Sequence, residues 1–145
     1  MPKFSDSHRG CSFEVHKRDH FHCRYCGLDG TRSFENWVSL SRDHLLPQGD
    51  PRRESREYIV TACMFCNNAD NRYHKRAEAR GLKFENMSPD ELVDQRRRYV
   101  ETIRANYLEF WEKSVKNPDA QSHCGQREIM SVLNSGEIYT EPAKF

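Results

Sequence analysis

Two pairs of cysteines carry the clearest chemical signal in this sequence. Cys23 and Cys26 form one CxxC pair, and Cys63 and Cys66 form the other. Two residues between cysteines make a tight turn whose thiolates point at one ion, and a tetrahedral Zn²⁺ needs two such turns. The spacing predicts a closed four-cysteine zinc site, in which the metal is structural because no coordination position stays open. The alternative is a set of redox-active or incidental thiols.

Three further residues lie next to these pairs. Asp43 and His44 are adjacent, just ahead of Leu45-Leu46-Pro47, and Asn67 directly follows the last cysteine. Carboxylate and amide oxygens together suit Mg²⁺ or Mn²⁺ bridging a phosphate. An unpaired imidazole can take a proton near neutral pH, as a general base must. An Asp-His pair alone equally describes a surface acid beside a partly buried histidine, so its place between the two cysteine pairs gives it weight.

Periodicity and turn residues predict the elements that position these side chains. In chain order they are a helix over 13–19, a cysteine knuckle over 21–30, a strand over 37–46, a second strand of the same hairpin over 58–61, a helical stretch over 64–80 and a long helix over 88–116. Ser88, Pro89 and Glu91 form a capping box at the start of the long helix. The fold class predicted is α+β.

The domain organisation expected is one compact domain with loose ends. Residues 1–12 are a lead-in, 13–81 the zinc-stapled core, 82–116 a capped helix packing on that core, and 117–145 a tail. Only 36 % of the 145 residues are hydrophobic when tyrosine is counted and glycine is not. The usual value, which counts glycine and not tyrosine, is roughly 45–50 %. A core this thin predicts stabilisation by bound metal.

Charge is balanced over the whole chain but uneven along it. The formal net charge is +1, from 23 basic and 22 acidic residues, which is no signature of a nucleic-acid binder. Basic residues nevertheless follow the second cysteine pair in two runs, one of Arg72, Lys75, Arg76 and Arg80 and the other of residues 96–98 and Arg104. Such a run is often a solvated helix face. Its position beside the predicted metal site favours contacts to DNA phosphates by Arg72, Lys75 and Arg76.

The segments CRYCG, SRDHLLP and VTACMFCN resemble the HNH nuclease family in its four-cysteine zinc subgroup, over about 13–73. The resemblance implies a small ββα-metal core stapled by zinc, with additional C-terminal helices. It implies an endonuclease that hydrolyses phosphodiester bonds in double-stranded DNA. His44 would be the general base, Asp43 and Asn67 the ligands of a catalytic Mg²⁺ or Mn²⁺, and the four cysteines the ligands of a structural Zn²⁺.

Two positions depart from the family pattern. Tyr58 stands where an asparagine commonly braces the loop that carries the catalytic histidine. Asp70 stands where a lysine is frequent, and it is a further metal ligand, a weakness in phosphate binding or a neutral change. Asn71 and His74 lie about one and two turns beyond Asn67 and are additional candidates to face the metal.

Two other classes of protein remain open. A non-catalytic zinc module that binds nucleic acid or protein, a decayed nuclease, explains the cysteines and the basic clusters but not Asp43, His44 and Asn67. A redox protein would use its CxxC pairs in a βαβ context, which the sequence lacks. A nuclease loses activity on His44→Ala while keeping its zinc, a binding module is indifferent to that change, and a redox protein holds no zinc.

The remaining expectations concern location and assembly. No apolar stretch is long enough to cross a bilayer and no secretory signal opens the chain, so we expect a cytoplasmic protein without a membrane partner. Cys11 and Cys124 lack partners at ligand spacing and are predicted to be free thiols. The aromatic residues of the long helix are expected to pack on the core, with a homodimer interface as the alternative; they are Tyr99, Tyr107, Phe110 and Trp111.

Overall fold

The computed structural model describes residues 8–120. It combines helices with a two-stranded antiparallel sheet, which confirms the mixed character of the predicted fold. The elements are α1 (Cys11–Arg18), α2 (Phe34–Val38), β1 (Leu40–His44), β2 (Ile59–Cys63), α3 (Met64–Asn68), α4 (Tyr73–Ala79) and α5 (Pro89–Phe110), with 3-10 turns at Arg56–Tyr58, Phe84–Asn86 and Pro118–Ala120 and a π-helical segment at Trp111–Val115. The described residues divide into two units, with the boundary between residues 100 and 101.

The hairpin confirms the predicted pairing of the two strands. Leu40 lies opposite Cys63 at one end, and His44 lies opposite Ile59 at the end where the connecting loop begins. At the usual rise per residue these two ends are about 14 Å apart. The sheet therefore presents the second cysteine pair at one end and Asp43 and His44 at the other.

The start of the predicted first strand is wrong, because 34–38 forms helix α2. The side chain of Ser33 accepts a hydrogen bond from the backbone N–H of Asn36 at 3.0 Å, which caps a helical turn. Trp37 or Val38, followed by Leu40, suggested the apolar and polar alternation of a strand, but the serine cap decides the local conformation. β1 begins only at Leu40.

The helix-friendly stretch over 64–80 is two helices rather than one. Asp70 interrupts it, because its side chain accepts from the backbone N–H of Arg72 at 2.8 Å and its carbonyl accepts from that of Tyr73 at 3.2 Å. Aspartate side chains compete in this way with the helical hydrogen bonds. The break leaves α3 as a short helix next to the cysteines and starts α4 in a new direction.

The two flanking helices begin close to where the sequence predicts. α1 starts at Cys11, inside the expected lead-in, and buries Ser12, Val15 and His16. At the start of α5 the capping box is formed: Ser88 N–H donates to Glu91 at 2.7 Å, and Glu91 N–H donates to the Ser88 hydroxyl at 3.3 Å. Within 8–120, no helix has the length and apolar character to cross a membrane.

The core of the first unit surrounds the hairpin. Its most buried apolar side chains come from the strands, the loop after β1 and the first part of α5: Leu40, Leu46, Val60, Ala62, Leu92, Val93 and Val100. Burial of one such large side chain contributes about 1.5–3 kcal/mol. Buried polar residues share this interior, including His16, Asp19, Thr61 and Arg96. The hairpin is thus held partly by apolar packing and partly by buried polar contacts.

Candidate functional site

The four cysteines of the two CxxC pairs come together in one cluster. Their sulfur atoms all lie within 4.8 Å of one another, and Cys26 Sγ is 3.7 Å from Cys63 Sγ. A tetrahedral ion with Zn–S bonds of about 2.3 Å separates its sulfurs by about 3.8 Å, whereas a disulfide needs about 2.05 Å. The cluster is therefore compatible with a structural zinc ion.

Each knuckle repeats the same local geometry. The backbone N–H of Cys26 points at Cys23 Sγ at 3.5 Å, and that of Cys66 points at Cys63 Sγ at 3.5 Å. Gly27 adopts φ +76°, which lets the first knuckle turn back so that its N–H reaches the Cys23 carbonyl at 2.9 Å. Such N–H groups stabilise negative charge on sulfur, as ligation of a cation requires.

The electrostatics of the cluster also favour a cation. A hydrogen bond with Cys23 lowers the pKa of Cys26, whereas the bond between Cys23 and Cys66 raises the pKa of Cys66. The sulfurs thus divide into proton donors and acceptors, and all four ionise together only when a cation offsets their mutual repulsion. These residues fit zinc, which would be held by thiolates alone.

Asp43 and His44 open into one cleft at the other end of the hairpin. The cleft is lined by Tyr25, Asp43, His44, Leu45, Tyr73, His74 and Arg96, and the space free of protein atoms there, open solvent included, is about 160 Å³. Neighbouring residues of a strand point to opposite faces. Because β1 ends at His44, both side chains nevertheless border the same space. The structure thus brings together the two residues that the sequence singles out.

Asp43 is held by a tyrosine from the first knuckle. The hydroxyl of Tyr25 donates to Asp43 Oδ2 at 2.6 Å. Burial raises the pKa of Asp43, against the opposing influence of the Arg96 charge and the Tyr25 hydrogen bond. Burial and the negative charge of Asp43 hold the pKa of Tyr25 well above its usual range, so Tyr25 stays a donor. The bond fixes the carboxylate and engages Oδ2 alone.

His44 is paired, contrary to the expectation of a lone imidazole. Its Nε2 lies 3.3 Å from Glu54 Oε2, on the loop that joins the two strands. Because an ionised carboxylate only accepts, the bond puts the proton of a neutral ring on Nε2 and leaves the lone pair on Nδ1. Glu54 is exposed and also contacts Arg53 at 2.8 Å. A surface pair of this kind orients the ring more than it stabilises the fold.

His74 of α4 borders the same cleft. Its Nε2 donates to the Leu45 carbonyl at 3.1 Å, which leaves Nδ1 with the lone pair. Burial lowers the pKa of His74, so the ring is neutral at pH 7. Its ring lies against Phe84, with centroids 5.3 Å apart. A histidine with one ring N–H fixed on a backbone carbonyl is oriented as metal-ligating histidines commonly are.

Asn67 lies beside β1 and is not among the residues that line the cleft. Its Nδ2 donates to Ser41 Oγ at 2.9 Å and to the carbonyl of Arg42 at 3.1 Å. These two hydrogen bonds hold β1 at the residues just ahead of Asp43. They use the amide nitrogen and not the amide oxygen, so the role of Asn67 as a metal ligand stays a prediction.

Both departures from the family pattern have structural roles. Asp70 is buried, accepts a hydrogen bond from the Tyr99 hydroxyl and lies 3.4 Å from Arg76 Nε. It is a packing residue and not part of the cleft. Tyr58 accepts from the Leu45 N–H at 2.9 Å through its carbonyl, and its ring lies under the Arg52 guanidinium at 5.2 Å. The Tyr58 ring thus contacts the loop that joins the two strands.

Of the predicted DNA contacts, Arg72 and Lys75 are exposed and Arg76 is turned toward Asp70. Sequence reasoning did not place Tyr25 or Arg96 at the cleft, nor Glu54 beside it. Tyr25 lies inside a CxxC pair, and Glu54, which contacts His44 without lining the cleft, carries no spacing signal. Arg96 had a signal, because it interrupts the apolar repeat of α5, and it is only 5 % exposed.

No family model matches this chain, and no curated protein or solved structure is similar to it.

Proposed function

We propose that this protein is an HNH-type endonuclease with a zinc-stapled ββα-metal core, which hydrolyses phosphodiester bonds in double-stranded DNA. One observation carries the proposal: Asp43, His44 and His74 border a single cleft, on the hairpin whose other end carries the cysteine cluster. The order β1, β2, α3 and the motif resemblance support the same fold. The zinc would hold the first knuckle against the end of β2.

In this proposal His44 acts as the general base. The Glu54 bond to Nε2 directs the basic Nδ1 away from the loop, where it would accept a proton from the attacking water. Glu54 stabilises the imidazolium that forms. Tyr25 keeps the Asp43 carboxylate in place throughout, through its bond to Oδ2.

The donors at the cleft fit a divalent ion that keeps part of its water shell. Asp43 offers one carboxylate oxygen. The second protein donor is His74 Nδ1, which borders the cleft, or, as the motif predicts, the amide oxygen of Asn67, which lies beside β1 and does not line the cleft. A site with only two protein ligands suits Mg²⁺ or Mn²⁺, because these ions take their remaining ligands from water and substrate phosphate. When bound, such an ion would stabilise negative charge developing on the phosphate and leaving oxygen. Asn67→Ala and His74→Ala, compared for Mn²⁺ affinity, identify the second donor.

Basic side chains outside the cleft would bind the duplex without reading bases. Arg72 and Lys75 are exposed beside the cleft residues Tyr73 and His74 and would contact phosphates. Arg76 contributes less, since Asp70 engages it. A homodimer through the exposed Tyr107, Phe110 and Trp111 stays a prediction, which sedimentation of a pure monomer would exclude.

The test is cleavage of supercoiled plasmid by metal-depleted protein resupplied with Mg²⁺ or Mn²⁺, alongside His44→Ala. We expect divalent-dependent nicking that falls by about 10²–10⁴-fold in the variant, the usual contribution of a positioned general base. Zinc content should stay near one per chain in both proteins. Loss of activity together with zinc would indicate misfolding. Absence of cleavage by either protein, with zinc bound, would replace the nuclease by the non-catalytic binding module.

A further inference from the structure

Arg96 is a buried cation whose hydrogen-bonding capacity is only partly used. Its side chain is 5 % exposed, and its Nε and Nη1 have no hydrogen-bond partner among the described residues. Burial of a charged group is costly unless hydrogen bonds or an opposite charge compensate it. The nearby negative charge is Asp43, which the field of Arg96 influences and whose Oδ2 accepts the bond from Tyr25.

The guanidinium of Arg96 contacts aromatic rings. Its carbon lies 4.1 Å from the centre of the Tyr73 ring and 5.9 Å from that of Tyr99. A guanidinium that stacks on aromatic rings keeps its N–H groups in its own plane, where they form a fork that matches phosphate oxygens. The aromatic contacts therefore orient Arg96 without using its donors.

The cleft that Arg96 borders is small and open to solvent, and the 160 Å³ of space free of protein atoms includes solvent at its mouth. A nucleotide with its base has no room inside it, so only a phosphate group presented from solvent could approach Arg96. Asp43, His44 and His74 border the same space, so an anion held by Arg96 lies next to the proposed base.

We propose that Arg96 binds a backbone phosphate of DNA in this cleft, beside Asp43 and His44. The inference rests on the proposed function and adds to it a phosphate-binding residue on α5, outside the segment that carries the motif resemblance. Its neighbours on α5 differ: Arg97 pairs with Asp94 on the same helix, and Arg98 is exposed. Arg96 alone of the three borders the cleft.

A direct test follows the Nε–H resonance of Arg96 by nuclear magnetic resonance in the zinc-loaded protein, without added Mg²⁺ or Mn²⁺. The Arg96→Lys variant assigns the signal by its loss. We expect a short DNA duplex, and at higher concentration inorganic phosphate, to shift this resonance. A shift with the duplex alone also supports the proposal. A shift with inorganic phosphate alone would mean a free-phosphate site, and no shift with either would remove the site altogether; both results overturn the proposal.

Binding measurements give a second readout that does not require cleavage. Arg96→Gln should weaken duplex binding at least tenfold and reduce the slope of log affinity against log salt by about one. Arg98→Gln removes the same charge from the exposed side of α5 and should leave the affinity for inorganic phosphate within about twofold. A loss of duplex affinity in Arg98→Gln as large as that in Arg96→Gln would overturn the proposal. If plasmid cleavage fails while the Arg96 resonance still responds to duplex, the nuclease is wrong and the phosphate site stands.

Discussion

At the residue scale, two histidines face one cleft with their tautomers fixed by different neighbours. The Nε2–H of His44 donates a hydrogen bond to the exposed side chain of Glu54 on the loop, and the Nε2–H of His74 donates to the Leu45 carbonyl. Each partner fixes which ring nitrogen carries the proton. In the proposed nuclease His44 would transfer the proton, and His74 would ligate or position the divalent ion.

Glu54 is the residue on which the orientation of His44 depends. Glu54→Gln keeps the size of the side chain but removes its negative charge, so the imidazolium loses its stabilising partner. We expect plasmid cleavage to slow by about tenfold, less than the effect of removing the base itself. Single-turnover cleavage under saturating protein measures this rate.

Glu57→Gln is the matched control, since Glu57 is an exposed acid of the same loop region and does not line the cleft. Its rate should match that of the unaltered protein. Equal rates for Glu54→Gln and the unaltered protein would show that His44 is oriented by other contacts.

At the element scale, the hairpin connects two chemically different ends. Cys63 ends β2 and leads directly into α3, so the cysteine cluster fixes where α3 starts. α3 carries Asn67, whose bonds to Ser41 and Arg42 hold β1 just ahead of Asp43. Geometry set at the cysteine end is in this way transmitted to the cleft through short elements and specific hydrogen bonds.

Removal of one cysteine ligand should therefore release the zinc and destabilise the fold. We expect Cys26→Ser to lose zinc and to lower the free energy of unfolding by several kcal/mol, since structural zinc contributes about 10–16 kcal/mol in small zinc-finger domains. Bound zinc measured with a colorimetric chelator and thermal unfolding by circular dichroism report the two effects.

Cys11→Ser is the control, because Cys11 is an exposed free thiol outside the cluster. It should keep both zinc and stability. A Cys26→Ser protein with full zinc content and unchanged unfolding would contradict the structural zinc site.

At the scale of the whole first unit, buried polar contacts supplement a thin apolar core. Asp19 follows α1, accepts from the Thr61 N–H of β2 at 2.8 Å and pairs with Arg18 and Arg24 at 2.9 and 3.2 Å. His16 lies 2.8 Å from the Thr61 hydroxyl. One carboxylate thus joins a helix, a strand and the first knuckle.

Asp19→Asn should lower the free energy of unfolding by about 2 kcal/mol, as expected for loss of hydrogen bonds to a charged group. Burial raises the pKa of Asp19, but the bonds from Arg18 and Thr61 and the charge of Arg24 outweigh it, so the net pKa is lowered from 3.8. A lowered folded pKa means that the contribution is present above the unfolded value and is lost as pH falls through the folded one.

The loss in Asp19→Asn should therefore be the same at pH 6 and pH 8, measured by urea unfolding, because both lie above 3.8. A difference that changes between these two pH values would assign the effect to another titrating group. An unaltered stability would mean that Arg18 and Arg24 find equivalent partners elsewhere.

Sequence reasoning predicted well where short-range chemistry decides the structure. The two CxxC pairs indicated the cysteine cluster, Ser88 and Glu91 indicated the start of α5, and the apolar runs indicated the hairpin. It failed where two local preferences compete. The Ser33 cap turned the expected start of the first strand into α2, and the Asp70 side chain divided the expected helix in two.

The sequence by itself determined the cysteine cluster, the hairpin and the adjacent position of Asp43 and His44, because each depends on residues close along the chain or on a metal-ligand spacing. Only the tertiary structure decided which side chains surround Asp43 and His44. Tyr25 and Arg96 come from separate segments and line the cleft, and Glu54 of the loop contacts His44 beside it. Such meetings between distant segments leave no periodicity or spacing in a single sequence from which to predict them.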